Sequence, residues 1–191
     1  MSQIFVNIPK VKFSEPRRNL PGRRGVTTPE DRFTIAFARS YLSQAPEMCR
    51  TANYDSMAVA REVAVNGYGI ADMLVVAWQS LAGEMFPSTE AFVEVARPCT
   101  RAFEFKLSDW RKAMSQAARY RFFAHQTFVV LPETACANAL PYIDTFRSIH
   151  VGLWSYSKET DRIRMHYTPR PASPMSKRWH LHAVQCVAST S

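Results

Sequence analysis

The chain has 191 residues, of which 47% are hydrophobic and 12% aromatic, which is enough for one domain with a packed core and argues against a disordered chain. It lacks a run of about 18 apolar residues and a signal-peptide pattern, so we expect neither a membrane-spanning nor a secreted protein. The net charge of +8 reflects a surplus of Lys and Arg near both ends, which suits a polyanionic partner. Four widely spaced cysteines without a CxxC pair indicate free thiols in a cytoplasmic protein.

Residues 1–27 are predicted to form a basic extended arm. Prolines interrupt this segment, and its Lys and Arg residues follow neither a helical nor a strand period. Such an arm can bind nucleic-acid phosphates, although a solvated basic tail that binds nothing specific would have the same composition. The candidate nucleic-acid-binding residues of the arm are Arg17, Arg18, Arg23 and Arg24.

Beyond the arm, the spacing of apolar residues predicts alternating helices and strands. The predicted elements are a helix from Thr28 with a capping box, strands at 57–65, 70–78 and 101–107, a helix at 108–124 with Ser108 as N-cap, a strand at 127–131, a helix at 133–146, and strands at 149–155 and 162–167. Leading strands followed by alternating helices and strands are typical of a mixed sheet covered by helices on both sides. We therefore predict an α/β core at 28–157, followed by a basic edge strand and tail at 158–191.

The strand at 101–107 carries the clearest chemical signal. Its period of two directs Phe103 and Phe105 to one face and Glu104 and Lys106 to the other. Two charges between apolar neighbours are costly to bury without a partner. A hard divalent cation would supply one, with Glu104 as a ligand and Lys106 orienting or deprotonating a water. A surface strand with a cross-strand ion pair is the alternative interpretation.

Two further segments carry polar residues that could belong to the same site as Glu104 and Lys106. Asp72 is the only charge in the strand at 70–78, and pairing of the two strands would bring it to Glu104 as a second metal ligand. A carboxylate that caps nearby amides would explain Asp72 equally well. On the next helix, Lys112, Gln116 and Tyr120 are spaced four apart and share one face, which is also the pattern of an ordinary polar surface.

In this order the segments resemble the PD-(D/E)XK, or restriction-endonuclease-like, nuclease superfamily. They are most similar to the branch typified by the RecB nuclease domain and related small uncharacterised bacterial proteins. That branch carries a Gly-x-x-Asp strand, an apolar-Glu-apolar-Lys strand and a Gln-x-x-x-Tyr helix, which correspond here to 69–72, 103–106 and 116–120. The resemblance covers about residues 28–155, and it implies a mixed central sheet flanked by helices with a restriction-endonuclease-like core.

The resemblance also implies a metal site. Asp72 and Glu104 would bind Mg²⁺ or Mn²⁺, together with the backbone carbonyl of Phe105. Many members add a carboxylate from the first helix, for which Glu30 is the candidate, and Glu62 is a second acidic candidate on the strand before Asp72.

The remaining site residues follow from the same resemblance. Lys106 would position the attacking water. Gln116 and Tyr120 would support the site or contact the nucleic acid, and Lys112 on the same helix face is a further nucleic-acid-binding candidate.

We therefore expect a magnesium-dependent deoxyribonuclease that hydrolyses DNA phosphodiester bonds, and RNA stays open as a substrate. The competing hypothesis is a catalytically inactive protein of the same fold, acting as a nucleic-acid-binding or interaction module in a defence, repair or mobile-element system. Cleavage of both strands of a duplex would favour a homodimer or a larger complex.

Overall fold

The computed structural model describes residues 28–51, 54–79 and 86–189, so the predicted basic arm with its four candidate arginines lies outside the described residues. The helices are α1 (Pro29–Thr51), α2 (Thr89–Ala96), α3 (Trp110–Tyr120), α4 (Glu133–Ala139), α5 (Ile143–Ser148) and α6 (Lys177–Ser189), with a 3-10 turn at Leu140–Tyr142. The strands are β1 (Ser56–Val65), β2 (Gly69–Trp78), β3 (Cys99–Phe105), β4 (Gln126–Pro132), β5 (Val151–Ser157) and β6 (Arg162–Tyr167).

The six strands form one mixed sheet in the order β1-β2-β3-β4-β5-β6. Strands β3, β4 and β5 run parallel, whereas the other neighbouring pairs are antiparallel. The parallel pairs need crossovers, which α3 and the α4–α5 segment supply, and the antiparallel β1–β2 pair needs only the short turn at 66–68. This arrangement confirms the predicted α/β fold with a mixed central sheet flanked by helices.

Helix α1 covers one face of the sheet with an aromatic core. Phe33 and Phe37 of α1 are buried against Phe103 and Phe105 of β3, and the rings of Phe37 and Phe105 lie 5.1 Å apart. The opposite face packs against α3, α4 and α6 through mainly aliphatic side chains. Strand alternation in β3 therefore places its phenylalanines under α1 and leaves Glu104 on the α3 face.

Several boundaries differ from the sequence-based expectations. Asp109, and not Ser108, caps α3, because its side chain accepts a hydrogen bond from the backbone of Lys112. The predicted helix at 133–146 is divided at Pro141, whose ring and missing N–H interrupt a regular helix. Helix α2 lies between the predicted strands at 70–78 and 101–107, where the sequence pattern predicts no element.

The segment after β6 also contains more structure than an extended tail. Its last part forms α6, whose Ala183, Val184 and Val187 are buried in the same cluster as Val63 and Val65 of β1. No helix among the described residues is long and apolar enough to cross a membrane.

Candidate functional site

The candidate site lies where strands β2 and β3 separate. Their paired ladder ends at Met73 and Phe103, and the same register carried one step further places Asp72 opposite Glu104. The backbone N–H of Phe105 donates a 2.8 Å hydrogen bond to Asp72 Oδ2 instead of to a carbonyl of β2. The Asp72 side chain thus takes the place of a β2 backbone carbonyl in the hydrogen-bond ladder. This bond holds the Asp72 carboxylate beside Glu104.

Glu104 is buried beneath the surface of this site, with 1% of its area exposed. Its Oε1 lies 3.2 Å from Lys106 Nζ, and its Oε2 is hydrogen-bonded to the hydroxyl of the fully buried Tyr120. That hydroxyl also lies 2.6 Å from the carbonyl oxygen of Ile70. A phenol has one proton, so the Tyr120 hydroxyl donates to one of these two oxygens at a time. Burial raises the pKa of Glu104, although the hydrogen bond from Tyr120 and the charge of Lys106 act in the opposite direction.

Lys106 connects three oxygen atoms of the site. Its ammonium donates to Glu30 Oε1 at 2.5 Å and to the Phe105 carbonyl at 3.0 Å, in addition to its contact with Glu104. Burial alone lowers the pKa of Lys106, but the hydrogen bond to Glu30 and the negative charges of Glu104 and Asp72 outweigh it and raise the pKa. Lys106 is therefore an ammonium at neutral pH, which suits it to orient a water or a phosphate oxygen and not to remove a proton.

Asp72 is the second carboxyl group of the site whose pKa is raised. Burial, followed by the charge of Glu104, raises the pKa of Asp72 to about 7, although the Phe105 N–H and Lys106 act in the opposite direction. Both carboxyl groups have raised pKa values mainly because burial makes their ionised forms costly. A proton on one group, or a cation close to both, lowers that cost.

Beside these residues is an open cleft with a volume of about 80 Å³, which is room for several water molecules. The N-terminus of α1, the middle of β1, the start of β2 and the residue after β3 surround it. The lining residues are Thr28, Glu30, Asp31, Thr34, Arg61, Glu62, Asp72 and Lys106. The two acidic candidates Glu30 and Glu62 therefore both reach the cleft, and Glu30 is the one that contacts Lys106.

The oxygen atoms of the site match a divalent cation in kind but are occupied by an ammonium group. Carboxylates of Asp72, Glu104 and Glu30 and the Phe105 carbonyl form an all-oxygen set of the kind that Mg²⁺ and Mn²⁺ prefer. Within the described ranges, however, no group of three or more His, Cys, Asp or Glu side chains is placed so that it could hold a metal ion. The ammonium of Lys106 lies instead among the oxygens of Glu30, Glu104 and Phe105.

Helix α3 lies across the start of β2 and places its three candidate residues at different depths. Tyr120 is buried, Gln116 is half-buried, and Lys112 is exposed near the Asp109 cap. Gln116 Oε1 is buried without a hydrogen-bond partner among the residues that the structure describes. Gly69 at the start of β2 has a φ of +106°, a backbone conformation that glycine adopts without strain, and a Cβ there would make only an ordinary contact with Tyr120 at 3.7 Å.

Two features of β1 were not anticipated. Glu62 has a φ of 51°, an unusual backbone for a non-glycine residue within a strand, and the β1–β2 register places it opposite Asp72. Arg61 is buried, lines the cleft and lies 3.9 Å from Asp31 of α1. The sequence signal was present, because Arg61 and Glu62 are the only charges in an apolar strand.

The chain matches no protein-family model, and comparisons with curated proteins and with solved structures find no similar protein. Any functional conclusion therefore depends on the geometry of the site and on the motif resemblance.

Proposed function

We propose that the protein is a divalent-metal-dependent nuclease that hydrolyses phosphodiester bonds of DNA. The observation that carries the proposal is the convergence of Asp72, Glu104 and Lys106 at the point where β2 and β3 separate, beside a polar cleft. The three residues come from the two strand motifs of the resemblance. Burying two carboxylates and an ammonium in one place is costly, so a fold without a use for them would gain stability by losing them.

Asp72, Glu104, the Phe105 carbonyl and Glu30 are the groups that would hold Mg²⁺ or Mn²⁺. The bound cation would polarise the phosphate and lower the pKa of a coordinated water. The chain itself supplies the remaining functions. The Phe105 N–H fixes Asp72, the Tyr120 hydroxyl fixes Glu104, and Lys106 presents a positive charge to the water or to a phosphate oxygen.

A metal cation bound among these oxygens would compete with the ammonium of Lys106 for the same ligands. Lys106 must then release Glu30, Glu104 and the Phe105 carbonyl before a metal ion binds there. Removal of this ammonium should therefore strengthen metal binding while it weakens catalysis. That combination distinguishes a functional lysine from one that only neutralises buried carboxylates.

The test is incubation of the purified protein with linear, circular and single-stranded DNA in Mg²⁺, Mn²⁺ or EDTA. We expect metal-dependent cleavage by the parent, which Glu104→Gln and Lys106→Ala abolish. Calorimetric titration with Mn²⁺ should show weaker binding by Glu104→Gln and tighter binding by Lys106→Ala. Glu94→Gln, which changes an exposed carboxylate on α2, is the matched control and should behave like the parent. Equal cleavage by the parent and both variants would place the active site elsewhere.

A second candidate is a nucleic-acid-binding module of the same fold that does not cleave. It is favoured by one observation, namely that Lys106 already neutralises the oxygens on which a metal site would depend. Binding of DNA by the parent without cleavage in any metal would support this candidate. RNA oligonucleotides in the same assay would show whether the protein acts on DNA or on RNA.

The nucleic-acid contacts proposed outside the cleft are Lys112 and the basic arm. Deletion of residues 1–27 should weaken DNA binding and reduce its salt dependence, because each lost phosphate contact lowers the slope of the log–log plot by about one. A slope that stays unchanged would exclude the arm from phosphate binding. Sedimentation with a duplex would test the proposed homodimer.

A further inference from the structure

An aromatic and basic cluster that the proposed chemistry does not use lies at the start of α3 and in the turn after α4. Trp110 begins α3, and its ring lies 4.8 Å from the ring of Tyr142 in the 3-10 turn after α4. The Arg111 guanidinium lies above both rings, at 4.2 Å from Trp110 and 5.2 Å from Tyr142. Trp110 is buried, whereas Tyr142 is 45% exposed and Arg111 is exposed. We call Trp110, Arg111 and Tyr142 the stacking cluster.

The chain connects the stacking cluster to the cleft through the short segment between Lys106 and Trp110. Trp110 follows the end of β3, and Tyr142 belongs to the segment that follows the end of the parallel strand β4. In open α/β sheets, ligands bind beyond the carboxyl ends of such strands. Trp110 lies four positions after Lys106 in the chain, so their Cα atoms are at most about 14 Å apart.

The chemistry of the cluster fits an unpaired nucleobase. The exposed part of the Tyr142 ring and the guanidinium plane above it are both surfaces on which a base can stack, and the positive charge attracts the phosphates that flank a base. Lys112 adds a second exposed positive charge, and α3 contains no acidic residue. Exposed Leu107 and Leu140 extend the apolar surface on the two segments that carry the cluster.

We propose that the stacking cluster binds a base of single-stranded nucleic acid, which makes single strands or frayed ends the substrate class of the cleft. This inference rests on the proposed function. Stacked nucleotides rise by about 3.4 Å each, so four nucleotides span about 14 Å, which is the greatest distance that the chain allows between Lys106 and Trp110. Bases inside a duplex are stacked on both sides and present no free face to the ring.

The experiment measures binding in EDTA, where cleavage does not interfere. Fluorescence anisotropy compares a 12-nucleotide oligothymidylate with an abasic oligomer of the same length and charge. The parent should bind the oligothymidylate more tightly, and Tyr142→Leu should lose about tenfold in affinity for it but nothing for the abasic oligomer. Tyr142→Phe should retain the parent affinity.

Tyr167→Leu is the matched control, because Tyr167 of β6 also has a guanidinium over its ring, that of Arg147 in α5 at 6.0 Å. This variant should keep the parent's preference for the oligothymidylate. Unchanged binding by Tyr142→Leu, or an equal loss on both oligomers, would overturn the inference. If that result accompanies metal-dependent cleavage by the parent, the proposed function stands without the stacking cluster. If the parent binds the oligothymidylate through Tyr142 but does not cleave with any metal, the stacking cluster stands and the proposed function is contradicted. Binding of neither oligomer would contradict both proposals.

Discussion

His125 lies at the start of β4, and its surroundings fix its protonation state. The backbone N–H of Thr100 donates to His125 Nδ1 at 3.1 Å, so this nitrogen carries a lone pair and the proton of the neutral ring lies on Nε2. The ring of the buried His180 is 4.9 Å away and perpendicular to it, and His180 Nδ1 lies 3.0 Å from the Phe123 carbonyl. A second proton on His125 would break the bond to Thr100 and place a charge against His180.

The lowered pKa of His125 determines how much of the free energy of unfolding depends on its protonation. Burial, and then the proximity of His180, lower this pKa from 6.5 to about 4. One pKa unit corresponds to about 1.4 kcal/mol, so the difference amounts to about 3 kcal/mol. The unfolded chain binds the proton more tightly than the folded protein does. The stabilisation is therefore complete above pH 6.5 and is lost as the pH falls toward 4.

The assay is urea unfolding at pH 7.5 and pH 4.5 for the parent and for His125→Asn. Asn keeps an acceptor for the Thr100 N–H but cannot be protonated in this range. Between the two pH values, the free energy of unfolding should fall by about 2–3 kcal/mol more in the parent than in His125→Asn. His150→Asn changes an exposed histidine and should reproduce the parent's pH dependence. Identical losses in the parent and His125→Asn would refute the reasoning.

Three further predictions concern single contacts. Tyr120→Phe removes the hydroxyl that bonds the buried Glu104, so urea unfolding should show a loss of about 1–3 kcal/mol, and an unchanged stability would mean that the bond contributes nothing. Glu62→Gly should be about 1 kcal/mol more stable than Glu62→Ala, because only glycine adopts the positive φ without strain; equal stability would exclude strain at this position. Gly152→Ala would place a Cβ 2.3 Å from a ring carbon of the fully buried Phe128, so its thermal midpoint should fall by several degrees, and an unchanged midpoint would show that the core adapts.

Local features of the fold could be predicted from the sequence because a few neighbouring residues determine them. The capping box at the start of α1 is one example, since the Asp31 N–H donates to Thr28 Oγ1 at 3.1 Å and the Thr28 N–H donates to Asp31 Oδ2 at 2.9 Å. The alternation of β3 is another, because it correctly separates Phe103 and Phe105 from Glu104.

Other features depend on contacts between distant segments. The bond between Lys106 and Glu30 exists because α1 packs across the sheet with its N-terminus at the end of β3, and no local pattern encodes that placement. Arg61 becomes a cleft residue for the same reason. Helix α6 was not predicted, because its buried residues form only a short apolar stripe. The strand β1 that it covers also lies far away in the sequence.

The pairing of α6 with β1 has a consequence for synthesis in the cell. A ribosome delivers the chain from its N-terminus, so Val63 and Val65 of β1 leave the ribosome long before Val184 and Val187, which share their buried cluster. During that interval the first strand has an uncovered apolar face, and such surfaces promote association between nascent chains. Contacts between distant segments also form slowly. The helical cover of β1 is therefore completed only after translation has passed residue 187, and until then the apolar face of β1 needs protection from association with other chains.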